Sequence, residues 1–209
     1  ATINAQNSSE TGADSFAIID PAPGSASNTF DYLDLEAIRI TEIPDGADQV
    51  TITVNTTGGP VSQTLDIASV TPLPFTVDLT GIDPATVTGV EVEFLDDGTA
   101  PRIAEDATAG IELDLVQEDP GTLTDDTVVM NWAGSEVNRD DDTATGTSNE
   151  ADYTIETNIP TVAIDKDFDP DFVVHGESSV ATITAGVDGS LPVEPFTITA
   201  PHPGAFSPA

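Results

Sequence analysis

The residues of this chain best equipped for chemistry are carboxylates. Asp165, Asp167, Asp169 and Asp171 stand at every second position, and Ile164, Phe168 and Phe172 fall on alternate ones. A strand with this pattern carries an acidic face opposite an apolar face. Carboxylate oxygens are ligands for hard cations, and calcium takes about six to eight oxygens at about 2.3–2.6 Å. Carboxylates two apart on one strand start about 6–7 Å from each other, so neighbouring loops must complete any such shell. Without them the run is a solvated acidic face. The segment Asn138-Arg139-Asp140-Asp141-Asp142-Thr143 is the better ligand loop, because a turn converges oxygens that a strand keeps apart. Asn138, Asp140, Asp141 and Asp142 are its expected ligands. Asp96-Asp97, and Glu118-Asp119 with Asp125-Asp126, are secondary clusters. None has the Asp-x-Asp-x-Asp-Gly frame and closing Glu of an EF-hand. Calcium is the cofactor this sequence suggests.

Histidine offers less. His175 and His202 are isolated, with no His-x-x-x-His pair, no Gly-x-Ser-x-Gly elbow and no Gly-rich phosphate loop. Two carboxylates can hydrolyse a glycoside, but 38 Asp and Glu are spread so widely that no pair is singled out. The chain reads as non-catalytic. Trp132, Tyr32 and Tyr153 could form a platform for stacking sugars, yet nothing in their spacing brings them together, and scarce aromatics usually anchor cores. Asn7-Ser8-Ser9 and Asn55-Thr56-Thr57 are glycosylation sequons, compatible with export.

Charge narrows the partners. Against the 38 acids stand Arg39, Arg102, Arg139 and Lys166, a net charge of −34. Such a chain repels itself, so salt or bound cations must screen it. A nucleic-acid backbone or an anionic membrane surface would repel it too, which argues against nucleic-acid partners and direct membrane insertion. The excess of carboxylates fits a halophilic surface and equally a calcium-bound repeat. There is no cysteine, hence neither disulfide nor thiol chemistry. No apolar run approaches the roughly 18 residues of a membrane span.

Period-two, β-branched runs dominate: Val50–Val54, Phe75–Leu79, Val90–Phe94 and Ile111–Leu115. Breakers such as Pro44-Asp45-Gly46, Thr57-Gly58-Gly59-Pro60 and Asp119-Pro120-Gly121 separate them. The pattern predicts an all-β protein of Ig-like or jelly-roll sandwich domains with Greek-key connections and little or no helix. Four pieces follow: a strand pair at 1–27, a sandwich block at 28–120, its closing strands at 121–160, and the first strands of a further repeat at 161–209. The last piece copies the first. Residues 181–207 lie over 1–27 without a gap, sharing Ala1, Thr2, Ile3, Ala5, Phe16, Ile18, Pro21, Pro23, Gly24 and Ser27, which is 10 identities in 27 positions. Self-similarity at a fixed offset marks an array.

The segment Ile164-Asp165-Lys166-Asp167-Phe168-Asp169-Pro170 through Val174-His175-Gly176, with the later Phe196-Thr197-Ile198-Thr199-Ala200-Pro201, resembles the opening strands of Ig-like tandem-repeat domains in large bacterial and archaeal cell-surface proteins. The resemblance implies an extracellular adhesin, stalk or surface-layer unit whose partners are further copies of itself, and surface glycans or another protein as alternatives. It also implies that residues 1–160 lack a first strand that a neighbouring copy could supply by strand addition. In such proteins a first-strand lysine is sometimes joined to an asparagine on a late strand. Lys166 is the only lysine, Asn131 and Asn158 stand on suitable strands, and in a tandem array its partner would belong to the following repeat. The residues alone read as an ordinary ion pair of Lys166 with Asp165 or Asp167. A sugar-binding sandwich module is the competing functional reading.

Overall fold

Alternation of apolar and polar residues is realised as strands throughout. The computed structural model of the chain describes residues 1–96, 98, 102–117, 127–155, 161–169 and 180–188. The protein is all-β, and helical geometry among the described residues is confined to 3-10 turns at Thr29–Asp31, Ile67–Ser69 and Pro84–Thr86. Two units are distinguished, Ala1–Ile155 and Glu156–Ala209. No helix among the described residues is long and apolar enough to cross a membrane.

The first unit contains β1 (Thr2–Gln6), β2 (Ser15–Asp20), β3 (Leu33–Glu42), β4 (Gln49–Thr56), β5 (Gly59–Asp66), β6 (Phe75–Thr76), β7 (Val87–Leu95), β8 (Thr108–Gln117), β9 (Thr127–Asn131), β10 (Gly134–Arg139), β11 (Asp142–Thr147) and β12 (Ala151–Ile155). They build a four-stranded sheet, β1-β8-β3-β6, and a six-stranded sheet, β11-β10-β2-β7-β4-β5. Every pairing is antiparallel. The strands expected within residues 1–27 both form but do not pair with each other. β1 joins β8, whereas β2 lies between β7 and β10. The sandwich spreads one apolar repeat over both layers, because each strand needs a partner on its own sheet.

Cross-strand rows explain the core. On the six-stranded sheet Phe16, Phe94 and Val50 share one row and Ile18, Val92 and Ile52 the next, all buried. On the four-stranded sheet the row Ile3, Ile111, Ile40 and Phe75 faces them, with Leu113 beside Ile38. These inner rows belong to one hydrophobic cluster, with Ile3 and Phe75 at its half-buried margin. Burying each large apolar side chain contributes about 1.5–3 kcal/mol. The alternate residues face outward, where the Thr51 and Thr64 hydroxyls lie 2.9 Å apart and those of Thr53 and Ser62 2.8 Å apart.

Two local deviations have side-chain causes. The run Phe75–Leu79 supplies only the two-residue β6, since Asp78 Oδ1 accepts the Thr80 amide at 2.9 Å and the Thr80 hydroxyl at 2.6 Å, turning the chain out of the sheet. β9 and β10 are halves of one long arm, as are β11 and β12. The arms bend together where Ser148 N donates to Ala133 O at 2.8 Å and Ala133 N to Ser148 Oγ at 3.0 Å. Beyond the bend β9 and β12 form a separate two-stranded ladder.

The second unit is described as an antiparallel ribbon of β13 (Thr161–Asp169) and β14 (Val180–Asp188), in register from Thr161 opposite Asp188 to Asp169 opposite Val180. Large apolar residues remain uncovered there, with Ile164 64% and Val180 68% exposed.

Candidate functional site

The expected ligand loop is the β10–β11 turn, with Asp140 in a left-handed conformation (φ 51°) at its tip. The side-chain oxygens of Asn138 and Asp140 are engaged by protein groups. Arg102 bridges Asp14 and Asp140, each at 3.0 Å, and Arg139 Nε lies 3.7 Å from Asp140. The Arg102 guanidinium holds the Asp140 carboxyl below the usual range. Asn138 Oδ1 accepts from Thr143 Oγ1 at 2.6 Å, while Asn138 Nδ2 donates to Ser15 Oγ and Glu136. Asp141 and Asp142 are exposed. The structure thus brings Asn138 and Asp140 to one turn and supplies arginine as the local positive charge. Asp165, Asp167 and Asp169 are exposed on β13, opposite Thr184, Thr182 and Val180. Asp171, Asp97, Glu118, Asp119, Asp125, Asp126 and Asn158 lie outside the described residues. Among the described residues no three His, Cys, Asp or Glu side chains gather as a metal-ligating group.

Beneath the β9–β12 ladder is a cleft of about 270 Å³ walled by Thr29, Leu33, Leu115, Asn131, Asp152 and Tyr153, with Ala1 and Ala151 completing it. Thr29 Oγ1, Asn131 Oδ1 and the Tyr153 hydroxyl are shielded from solvent without a hydrogen-bond partner among the described residues. Burial, with Tyr32 nearby, pushes the Tyr153 phenol up to about 12. Two of the three scarce aromatics are therefore neighbours, whereas Trp132 lines a different cavity beside Ala22–Ala26. Behind Asn131 is Asp20, fully buried, with Oδ2 accepting from Asn131 Nδ2 at 3.2 Å. Burial raises the Asp20 pKa, and the Asn131 hydrogen bond offsets part of that rise. Sequence reasoning passed over Asp20, although counting by twos from Phe16 through Ile18 places it on the inward face.

The most distinctive surface is the edge of β1 that no other strand among the described residues covers. Ala1 and Leu113 exchange backbone hydrogen bonds at 2.6 and 2.8 Å, and Asn7 N donates to Ala107 O at 2.9 Å. Odd-numbered residues of this segment therefore address β8, and the alternation of an antiparallel ladder directs the backbone groups of Thr2, Asn4 and Gln6 outward. Beside this edge run two adjoining cavities of about 170 and 230 Å³, which share Ile3, Asn4, Ala133 and Ser148 as walls. Gly134, Ser135, Gly146 and Thr147 of the β10–β11 hairpin form the far side, so the groove is lined mainly by small residues. The opposite margin of the sandwich is bridged instead, by Gln63 Nε2 donating to Asp78 O at 3.1 Å. β1 sits close on its neighbour because residue 110 is glycine. A Cβ there would stand 2.6 Å from Thr41 Oγ1 and 2.9 Å from Asn4 Oδ1.

An exposed strand edge beside a groove can accept a further strand. Compared with protein-family models, curated proteins and solved structures, the chain matches none of them.

Proposed function

We propose that this chain is a non-catalytic structural or adhesive unit of an extracellular fibre, stalk or surface layer, related to Ig-like tandem-repeat domains, whose partners are further copies of itself. One observation carries the reading: β14 repeats β1 in sequence at an offset of 180 residues, and β1 is an edge strand beside a groove. A strand sequence that recurs at a fixed offset is suited to an array. The net charge of −34 opposes contact between copies, so assembly needs ions. Screening length falls from about 10 Å at 0.1 M salt to about 3 Å at 1 M.

Sedimentation and electron microscopy of the chain in chelator, in millimolar calcium and in molar sodium chloride test this reading. We expect species larger than one chain in at least one ionic condition. Monomers under all three conditions would count against it. Larger species with calcium alone would make bound calcium part of the assembly, and larger species only in molar salt would make general screening sufficient.

The cleft beneath β9 and β12 favours a second reading, a carbohydrate-binding sandwich module, because it presents Tyr153 beside Thr29, Asn131 and Asp152. Glycan-array binding that disappears in Tyr153→Ala would support it. Absence of binding in the unaltered chain would dispose of it.

A further inference from the structure

The repeat and the ribbon together specify what fills the β1 groove. Resting on the array reading above, we infer that β13 of a second copy of this chain adds antiparallel to the open edge of β1, with Ala163 opposite Gln6, Ile164 opposite Ala5, Asp165 opposite Asn4, Lys166 opposite Ile3 and Asp167 opposite Thr2. The extended sheet runs β13-β1-β8-β3-β6.

The register comes from subtracting the 180-residue offset from each β14 member of the β13–β14 ladder, in which Ala163 faces Gly186, Asp165 faces Thr184 and Asp167 faces Thr182. The two copied strands also share their burial pattern. Ile183 and Ala185 are half-buried like Ile3 and Ala5, while Thr182 and Thr184 are exposed like Thr2 and Asn4. Residues directly opposite in a ladder share a face. Ile164 therefore falls beside Ala5 on the groove side, in the cavity walled by Ala133, Gly134 and Gly146. In the chain alone that side chain is 64% exposed.

Charge is compatible with the same edge. Like charges directly opposite each other destabilise a strand pair, and β13 carries Asp165, Asp167 and Asp169. β1, Thr-Ile-Asn-Ala-Gln, has no charged residue, whereas the edge strands β5 and β11 contain Asp66 and Asp142. The register places Asp165 and Asp167 outward, beside the neutral side chains of Asn4 and Thr2, and the Lys166 stem on the groove side beside Ile3.

The chain has no cysteine, so single cysteines can report the pairing. Asn4→Cys protein is mixed with Asp165→Cys protein in millimolar calcium and, separately, in molar sodium chloride, under mild oxidation, and resolved without reductant. Both positions are exposed, and circular dichroism of each variant is the check that it folds. Residues directly opposite across a ladder lie within disulfide reach and diagonal ones beyond it. We therefore expect the 4–165 heterodimer to form at least about tenfold faster than the 4–167 heterodimer from Asp167→Cys. In cysteine-free protein, Ile164→Asp should weaken association at least about tenfold by replacing the apolar side chain beside Ala5 with a carboxylate, while Asp165→Asn should leave association intact. Larger species with no preference for 4–165, or unaffected by Ile164→Asp, would overturn this strand and register while leaving the array reading in place. Monomers throughout, with no heterodimer at either pair, would remove both.

Discussion

β1 and β14 are nearly the same strand in two settings. β1 is laid against β8, with Ile3 and Ala5 facing a two-layer core and no strand among the described residues on its other edge. β14 is paired with β13 in a ribbon whose Ile164 and Val180 remain exposed. One strand sequence thus has a neighbour on β8 in the first case and on β13 in the second. The sequence motif specifies the alternation of faces, and the surroundings decide which neighbour is present.

The largest perturbation should separate the two settings. Phe94→Ala, at the centre of the fully buried row with Phe16 and Val50, is expected to destabilise the first unit by about 3–5 kcal/mol. Hydrogen exchange should show accelerated β1 amides and unchanged β14 amides. Equal acceleration in both would mean that the settings are not independent. Gly110→Ala acts more locally, because the added methyl meets Thr41 and Asn4, and should cost about 1–3 kcal/mol by lifting β1 from β8. Denaturant unfolding combined with exchange at Ile3 and Ala5 checks this.

A smaller effect, of opposite sign, is expected at Asp20. Burial raises its folded pKa, so the folded state holds the proton more tightly than the unfolded chain. The associated stability is present below the unfolded carboxylate pKa and is lost as pH rises through the folded value. Asp20→Asn should therefore stabilise the first unit at neutral pH by about 1 kcal/mol and flatten its stability profile on the acid side. Thermal melts across pH would read both effects, and a loss of stability at neutral pH would show that the buried charge has a compensating partner. The mildest test is spectroscopic. One of the two tyrosines should form phenolate only at about 12. The corresponding stability is complete below about pH 10 and is lost as pH rises through that folded value. Two ordinary titrations would mean that the β9–β12 ladder does not cover Tyr153.

The strands were the most legible part of the molecule. Val50–Val54, Val90–Phe94 and Ile111–Leu115 each lie inside an observed strand because period-two alternation is a local property. Pairing was less legible, since nothing within residues 1–27 says that β1 and β2 join different sheets. The acidic loop was located as a turn, but the engagement of Asp140 by Arg102 depends on a residue 38 positions away. The β1 groove was invisible for a related reason. Its walls come from the two ends of the first unit, and their small residues carry no chemical signature of their own.

In the proposed assembly the β1 edge and the exposed ribbon belong to different units of the chain, and this asymmetry bears on how copies would meet. A contact between unlike surfaces is heterologous, and it propagates head-to-tail wherever neither reciprocal exchange between two copies nor a ring closes it. Such an assembly has polarity: one terminus presents a vacant edge and the other an unused ribbon. Its length then becomes a kinetic quantity, set by how often new chains begin and by whatever blocks an end.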